Sequence, residues 1–322
     1  MNEQTPLLAI RCATYNQVAF IRKCLDGFVK QKTTFPFVAI VHDDASTDGT
    51  ADIIKEYAEC YPNIIKAYIE IENQYSQGRL EQIMTSLIPK EVKYIAICEG
   101  DDYWVDPLKL QKQVDFLEQN SEYGMVYGKV RVWLQEDNRF GGSFGKKLRT
   151  FEELLRYNTI PTLTVVYRHV LDQQYVEEIE PSTKKWRMGD YPKWLYFSKK
   201  SDIGFIDEYF GVYRVNRVSA SHFADRVGHL KFQINALEIA LYMCDKFGEE
   251  KHLTEIRLLW SNLEYSYLIS DKELLENTQR DIARASLWPL SFRMIILKLF
   301  YKHPEMYLKS KMITKKMLHI KL

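Results

Sequence analysis

Four short stretches of this chain carry side chains whose types and spacing could do chemistry. The densest is Glu99-Gly100-Asp101-Asp102-Tyr103-Trp104-Val105-Asp106, where carboxylates crowd into a few positions. Like charges that close repel unless a cation or a set of hydrogen-bond donors compensates. Oxygen-only ligands with no neighbouring Cys or His favour Mg²⁺ or Mn²⁺ over zinc, and such ions are commonly shared with substrate phosphates. A solvated acidic turn, with Asp106 capping the next helix, is the plainer alternative. Earlier in the chain, Val41-His42-Asp43-Asp44-Ala45-Ser46-Thr47-Asp48-Gly49-Thr50 carries a second acidic pair. Helix capping would account for Ser46, Thr47 or Asp48 but not for Asp43 and Asp44.

Two later stretches are sparser. Trp186-Arg187-Met188-Gly189-Asp190-Tyr191-Pro192-Lys193-Trp194 sets one acid, Asp190, among aromatics. Desolvation there would raise a carboxylate's pKa and suit it to general-base work, whereas a helix cap before Pro192 explains it equally well. Tyr213-Arg214-Val215-Asn216-Arg217-Val218-Ser219-Ala220-Ser221-His222 supplies arginines fit for phosphate oxygens and a histidine that could complete a metal site; surface ion pairs are the alternative for the arginines.

The elements that must position these groups read as alternating strands and helices. Strands are expected at 7–13, 37–41, 65–71, 94–98 and 125–133. The helices between them show one apolar stripe each, as in Val18, Ile21, Leu25, Phe28 and Val29, and those at 79–87 and 107–119 complete the series. Such alternation predicts a mostly parallel sheet with helices on both faces, in which ligands bind at the carboxyl ends of the strands, where both acidic pairs fall. After a glycine-containing loop at 135–147 come a short helix at 151–157 and a strand-like run at 162–167. From about Ala224 the period is helical.

At 322 residues, 46% hydrophobic and 27% charged, the chain can bury a full core, and its net charge of +1 gives no global field for nucleic acid. Five widely spaced cysteines without a CxxC pair argue against a disulfide framework or zinc site and for reduced core thiols. Residues 1–6 lack the organisation of a signal peptide and no run is long enough to span a bilayer, so the expected compartment is cytoplasmic.

Together, Thr14-Tyr15-Asn16, Asp43 to Thr50, Asn73 with Gly78-Arg79, Glu99-Gly100-Asp101-Asp102 and Gly189-Asp190 resemble, in order and spacing, the inverting glycosyltransferase family 2 with its GT-A fold. The resemblance spans about residues 7–221. It implies a GT-A domain over 1–222 and a helical C-terminal region over 223–322. By that resemblance Thr14, Tyr15, Asn16, Asp44 and Arg79 line the nucleotide pocket of a nucleotide-sugar donor and Asp101 lies by the ribose; from its own chemistry, Arg214 is the arginine expected to serve the diphosphate. Asp102 would be the metal ligand, with His222 a second candidate, for a divalent cofactor, Mn²⁺ or Mg²⁺. Asp190 resembles the base that deprotonates an acceptor hydroxyl. The chain departs from the family's pattern twice: residues 72–79 replace the usual small-residue loop, and Gly189 stands where a glutamate commonly precedes the base.

The implied activity is transfer of a sugar, a UDP-hexose on family frequency, to a glycan or lipid-linked acceptor in bacterial surface-polysaccharide synthesis. A catalytically silent nucleotide-sugar-binding partner and another metal-dependent phosphate enzyme are the competing readings. The sequence offers no glycine-rich phosphate loop for the latter, and a binding module would not need a base. At the end of the chain, 286–322 mixes Trp288, Phe292, Ile295, Ile296, Leu299 and Phe300 with eight basic residues from Arg293 to Lys321. That pattern suits either an anionic membrane surface, on the inner face of the cytoplasmic membrane, or packing against the catalytic domain or a second subunit in a homodimer.

Overall fold

The computed structural model describes residues 5–148, 150–216, 225–285, 292–306 and 308. The chain divides into two compact units, residues 1–185 with 189–216 and residues 186–188 with 217–322.

The first unit is built on one nine-stranded sheet. Its strands are β1 (Leu8–Thr14), β2 (Phe37–Asp43), β3 (Ile65–Ile69), β4 (Tyr94–Ile97), β5 (Tyr103–Trp104), β6 (Tyr123–Leu134), β7 (Arg139–Phe144), β8 (Val166–Arg168) and β9 (Asp202–Val215). The order is β3-β2-β1-β4-β8-β6-β9-β5, with β7 on β6. The run β3-β2-β1-β4 is parallel, as the sequence predicts, with Leu8 opposite both Phe37 and Tyr94. Beyond β4 the sheet is mixed: β8 is antiparallel to β4 and β6, β5 is antiparallel to β9, and β6 and β9 run parallel.

Continuous apolar runs explain the centre. Tyr94 to Ile97 is buried throughout, and β2 is buried from Val38 onward, as strands covered on both faces must be. Helices α1 (Ile21–Val29), α2 (Thr50–Cys60), α3 (Leu80–Leu87), α4 (Lys109–Gln119), α5 (Phe151–Arg156), α6 (His169–Ile179) and α7 (Asp190–Lys200) complete the unit. Ile21, Cys24, Leu25 and Phe28 of α1 and Leu110, Val114 and Leu117 of α4 join Leu8, Ile10, Val41 and Tyr94 in one core. Cys12, Cys24, Cys98 and Cys244 are buried free thiols, whereas Cys60 is exposed.

Two elements differ from the sequence expectation. Residues 135–147 contain β7, paired antiparallel with β6 and held by an edge-on contact of Trp133 with Phe140 at 4.9 Å. Its exposed face hides the alternation by which a strand is recognised. The run 162–167 begins as a 3-10 turn, Thr162–Thr164, because the Thr164 amide and hydroxyl both donate to the Pro161 carbonyl, at 2.9 and 2.8 Å.

The second unit is helical: α8 (Arg226–Phe247), α9 (His252–Leu268), α10 (Lys272–Arg284) and α11 (Phe292–Phe300). Asp225 caps α8 and Asp271 caps α10, each accepting a backbone N–H three residues on, and Gly248 ends α8 in left-handed backbone. Its core is Ile256, Leu263, Ile282, Met294 and Leu297. Among the described residues, no helix is long and apolar enough to cross a membrane.

Candidate active site

The carboxyl ends of β2, β1 and β4 lie side by side, so the segments that follow them meet. The Asp44 amide donates to the Thr14 carbonyl (2.9 Å) and the Gly100 amide to the Ala13 carbonyl (3.1 Å). Asn16 and Ala45 both adopt left-handed backbone, at φ 51° and 64°; for alanine this costs on the order of 1 kcal/mol. Asn16 secures the junction, its amide donating to Ser46 Oγ (2.8 Å) and its Oδ1 accepting from the Thr47 amide (2.9 Å). Ser46 and Thr47 therefore serve this junction. None of Ser46, Thr47 and Asp48 is the N-cap of α2, which is Gly49; Asp48, just before it, accepts from the Thr50 amide and hydroxyl at 3.0 and 2.6 Å. Tyr15 is exposed beside them.

Asp44 is buried and accepts from two loop amides, Gln74 at 2.6 Å and Tyr75 at 3.0 Å, one on each oxygen. It thus fixes the loop 73–78 against the end of β2 and keeps a second lone pair on each oxygen. Arg79 belongs to the same loop, its Nε donating to Gln74 Oε1 at 3.0 Å. Asp43 accepts from the Ser46 amide (2.9 Å) on Oδ2, while its buried Oδ1 has no hydrogen-bond partner among the described residues.

The carboxyls of the acidic loop after β4 are all displaced upward. Burial pushes the Asp102 carboxyl well above the usual range, and the charge of Asp101 adds to it. Burial raises Asp101 as well, against Arg214. Glu99 is pushed up to about 7 by burial, with Asp101 and Asp190 adding and Arg11 opposing. Asp190 is therefore within electrostatic reach of the loop. Arg214, from β9, is drawn in: its amide donates to Asp102 Oδ1 (2.7 Å), Nε to the Asp101 carbonyl (2.8 Å) and NH1 to Gln135 Oε1 (2.7 Å). Its guanidinium lies 4.5 Å from the centre of the Phe20 ring.

Gly100 is required by close packing. A Cβ there would meet Gln17 Oε1 and come within 2.8 Å of both Cβ and Oγ1 of Thr14.

Asp190 opens α7, where the N-terminal end of the helix dipole favours negative charge. It does not cap in the usual way. Its Oδ2 accepts from the Thr162 hydroxyl at 2.6 Å and its Oδ1 from the Tyr191 amide at 2.7 Å. The turn that carries Thr162 is tied to the acidic loop, because Trp104 Nε1 donates to the Leu163 carbonyl at 2.6 Å.

The sequence reading missed Thr162 and the charged group Arg11, Glu81, Asp172 and Lys193, which pair with one another around α7. Arg11 alone left a trace, a cation inside an apolar strand. Arg217 and His222 lie outside the described residues, as does most of 286–322. A cavity of about 650 Å³ lined by Lys129, Phe144, Lys146, Lys147, Phe205 and Asp207 opens beside β6 and β7, and none of the candidate site residues lines it.

A divalent ion suits this loop. Burial holds the carboxyls of Glu99, Asp101 and Asp102 above their usual range, with neighbouring carboxylates adding at Glu99 and Asp102 and Arg214 opposing at Asp101 and Asp102, and a cation would relieve this. Among the described residues, no three His, Cys, Asp or Glu side chains are grouped to cage an ion. The donor set matches an ion that takes one carboxylate and fills its other positions with phosphate oxygens and water.

Comparison with known proteins bears on the same region. The model of the family described as Glycosyl transferase family 2 matches residues 12–180. An uncharacterised protein of Mycobacterium tuberculosis, Rv1520, is 38% identical over 164 residues, which cover 50% of this chain and 46% of that one. The chain thus spans about half the length of this relative. The Escherichia coli UDP-Glc:alpha-D-GlcNAc-diphosphoundecaprenol beta-1,3-glucosyltransferase WfaP is 27% identical over 227 residues, 69% of this chain and 83% of that one. The mannosyltransferase PcManGT of Pyrobaculum calidifontis, solved with GDP-Man and Mn²⁺, shares the fold at a TM-score of 0.54 and 16% identity, covering 97% of this chain and 84% of that one. The α/β architecture is that of the GT-A glycosyltransferases.

Proposed function

The chain belongs to glycosyl transferase family 2, and on that premise we propose that it moves a sugar from a nucleotide-sugar donor to a hydroxyl of a glycan or lipid-linked acceptor, with inversion at the anomeric carbon. One observation carries this reading: a loop of closely set, hard-to-ionise carboxyls, Glu99 to Asp102, is held by Arg214, while a separate carboxylate, Asp190, is oriented by Thr162. The loop is suited to a cation and a diphosphate. The separate carboxylate is suited to a proton.

In this reading Thr14, Tyr15, Asn16, Asp44 and Arg79 hold the nucleotide at the ends of β1 and β2. Asp101 stands by the ribose, and Arg214 orders the Asp101-Asp102 backbone while offering positive charge to the diphosphate. Asp102 would hold the divalent ion, Mn²⁺ or Mg²⁺, which when bound supplies charge neutralisation at the leaving diphosphate. Asp190, oriented by Thr162, takes the proton of the acceptor hydroxyl as that oxygen attacks the anomeric carbon opposite the leaving group. His222 remains a candidate second ligand.

UDP-hexose is the donor we favour, supported by the donor in the name of WfaP, which also supports a polyprenyl-diphosphate-linked acceptor of the kind used in surface-polysaccharide synthesis. Such an acceptor would place the chain at the cytoplasmic face of a membrane, and homodimerisation is compatible with that setting.

The test is thermal stability with UDP or GDP, each with and without Mn²⁺. At a ligand concentration near 100 times Kd, binding stabilises by about 2.7 kcal/mol. That stabilisation is expected only when metal is present. Asp102→Asn keeps the acceptor for the Arg214 amide and is expected to lose the metal-dependent part. Absence of stabilisation by any nucleoside diphosphate would sink the reading, and an unchanged Mn²⁺ effect in the variant would remove Asp102 as the ligand.

A further inference from the structure

Around the first turns of α7, four charged side chains from four elements come together. Arg11 of β1 grips Glu81 of α3 with both ends of its guanidinium, NH1 lying 3.0 Å from Oε1 and NH2 bonded to Oε2. Lys193 of α7 stands 3.0 Å from Glu81 Oε1 and 2.8 Å from Asp172 Oδ1 of α6. Lys193 and Asp172 are each only 3% exposed, so neither charge can rely on water. Two cations face two anions. Burial opposes the charge on Glu81, yet Arg11 and Lys193 hold its carboxyl well below the usual range.

This group is joined to Asp190 by geometry. Lys193 lies one turn along α7 from Asp190, and Gly189, next to Asp190, packs directly on Glu81. A Cβ built on Gly189 would stand 3.4 Å from Glu81 Oε2 and 3.9 Å from its Cδ. A side chain at 189 would also share a helix face with Lys193, four residues on. The carboxylate of Glu81 thus occupies the space into which a side chain at 189 would grow.

We propose that Glu81 is a positioning residue for Asp190: with Arg11 as its anchor in the sheet, it fixes the first turn of α7 through Lys193 and Gly189. This role rests on the reading of Asp190 as the acceptor base. No bond forms or breaks at Glu81; its effect is on where the Asp190 carboxylate stands. A displacement of about 1 Å at a reacting group can cost on the order of 100-fold in rate.

The test is a cycle of Glu81→Ala, Gly189→Glu and the double variant, with Glu81→Gln as a version that keeps the side chain's size and its acceptor oxygen. Turnover is followed as nucleoside diphosphate release with whichever of a panel of UDP-, GDP- and dTDP-hexoses the wild type uses fastest, and UDP binding with Mn²⁺ is measured alongside. Glu81→Ala and Glu81→Gln are expected to lower kcat by about 10- to 100-fold while leaving the KM for the donor and UDP affinity within about three-fold. Gly189→Glu alone is expected to lower activity, because two carboxylates then compete for one place. In the double variant the carboxylate introduced at position 189 can reach Arg11 and Lys193, and activity is expected to recover to within about five-fold of wild type. Wild-type kcat in both Glu81 variants would overturn the positioning role. So would a loss shared by kcat, UDP affinity and Tm that the double variant does not recover, since that is the mark of a merely structural contact. Asp190→Asn, run in parallel, separates the two levels: full turnover there defeats the base reading itself, whereas its inactivity beside normal Glu81 variants defeats only this inference.

Discussion

Lys109 is a lysine shut away from water. It is fully buried, its ammonium nitrogen 4.1 Å from the centre of a Trp104 ring and without a hydrogen-bond partner among the described residues. Burial pulls its pKa from 10.5 down to about 7, against the opposing pull of Cys98 and Asp106. Because the folded value lies below the unfolded one, the unfolded chain binds the extra proton between about pH 7 and 10.5. Stability therefore rises with pH across that window, and the penalty stands in full below it. At about 1.4 kcal/mol per pH unit, the lysine costs on the order of 4 kcal/mol at neutral pH. Methionine keeps most of the stem's volume and removes the charge, at the loss of about 1–2 kcal/mol of cation–π attraction. Lys109→Met should thus be more stable than wild type at pH 7 by about 2 kcal/mol or more, with the advantage shrinking steadily toward about pH 10. Denaturant unfolding of both proteins at intervals from about pH 7 to about pH 10 reads this directly, since other groups titrate alike in the two and cancel. A difference that stays constant with pH, or a variant less stable at neutral pH, would refute the reasoning.

Gly100→Ala drives a Cβ against Thr14, and the Gly100 backbone cannot retreat without giving up its bond to the Ala13 carbonyl. The expected cost is about 1–3 kcal/mol of stability, with UDP affinity falling about ten-fold or more as Asp101 and Asp102 shift; calorimetry and a UDP titration showing neither change would count against the packing described. Thr162→Val removes the hydroxyl that orients Asp190 and should lower kcat by roughly 10-fold with UDP affinity unchanged, a hydrogen bond to a charged group contributing about 1.5–3 kcal/mol. Thr162→Ser should retain the rate, and equal kcat in the valine and serine variants would show that the hydroxyl has no part in placing the carboxylate.

The half of the sheet that binds the nucleotide in this reading was legible in the sequence because β1, β2 and β4 are largely buried on both faces. Leu8 to Cys12 and Tyr94 to Ile97 read as strands without reference to any partner. The acidic pairs could be assigned to one site because each directly follows such a strand. The opposite half was harder to read. β7 is exposed and glycine-bearing, so nothing in its pattern separates it from a loop, and only its pairing with β6 makes it a strand. Thr162 to Tyr167 has the composition of a strand, but the Pro161 carbonyl recruits Thr164 and closes a turn. Thr162 and Glu81 could not have been singled out at all. Each acts on α7 from a distant element, and a threonine in a turn or a glutamate on a helix carries no local sign of its partner.

Two treatments of charge divide this molecule, and each fits the work proposed for its place. Around α7 the charges are balanced, Arg11 and Lys193 against the half-buried Glu81 and the buried Asp172. Lys193 and Asp172, each only 3% exposed, resist displacement because moving either leaves the other's buried charge unpaired, at about 3–5 kcal/mol. After β4 the opposite holds. Glu99, Asp101 and Asp102 press on one another, and the cations nearby do not restore balance: Arg214 is mainly engaged by backbone and Gln135, and Arg11 by Glu81. Ionising these carboxyls is unfavourable in the free protein, and a bound cation would favour it. Fixed geometry suits a carboxylate proposed to meet an acceptor hydroxyl, and carboxyls that resist ionisation suit the metal-dependent binding proposed for the loop.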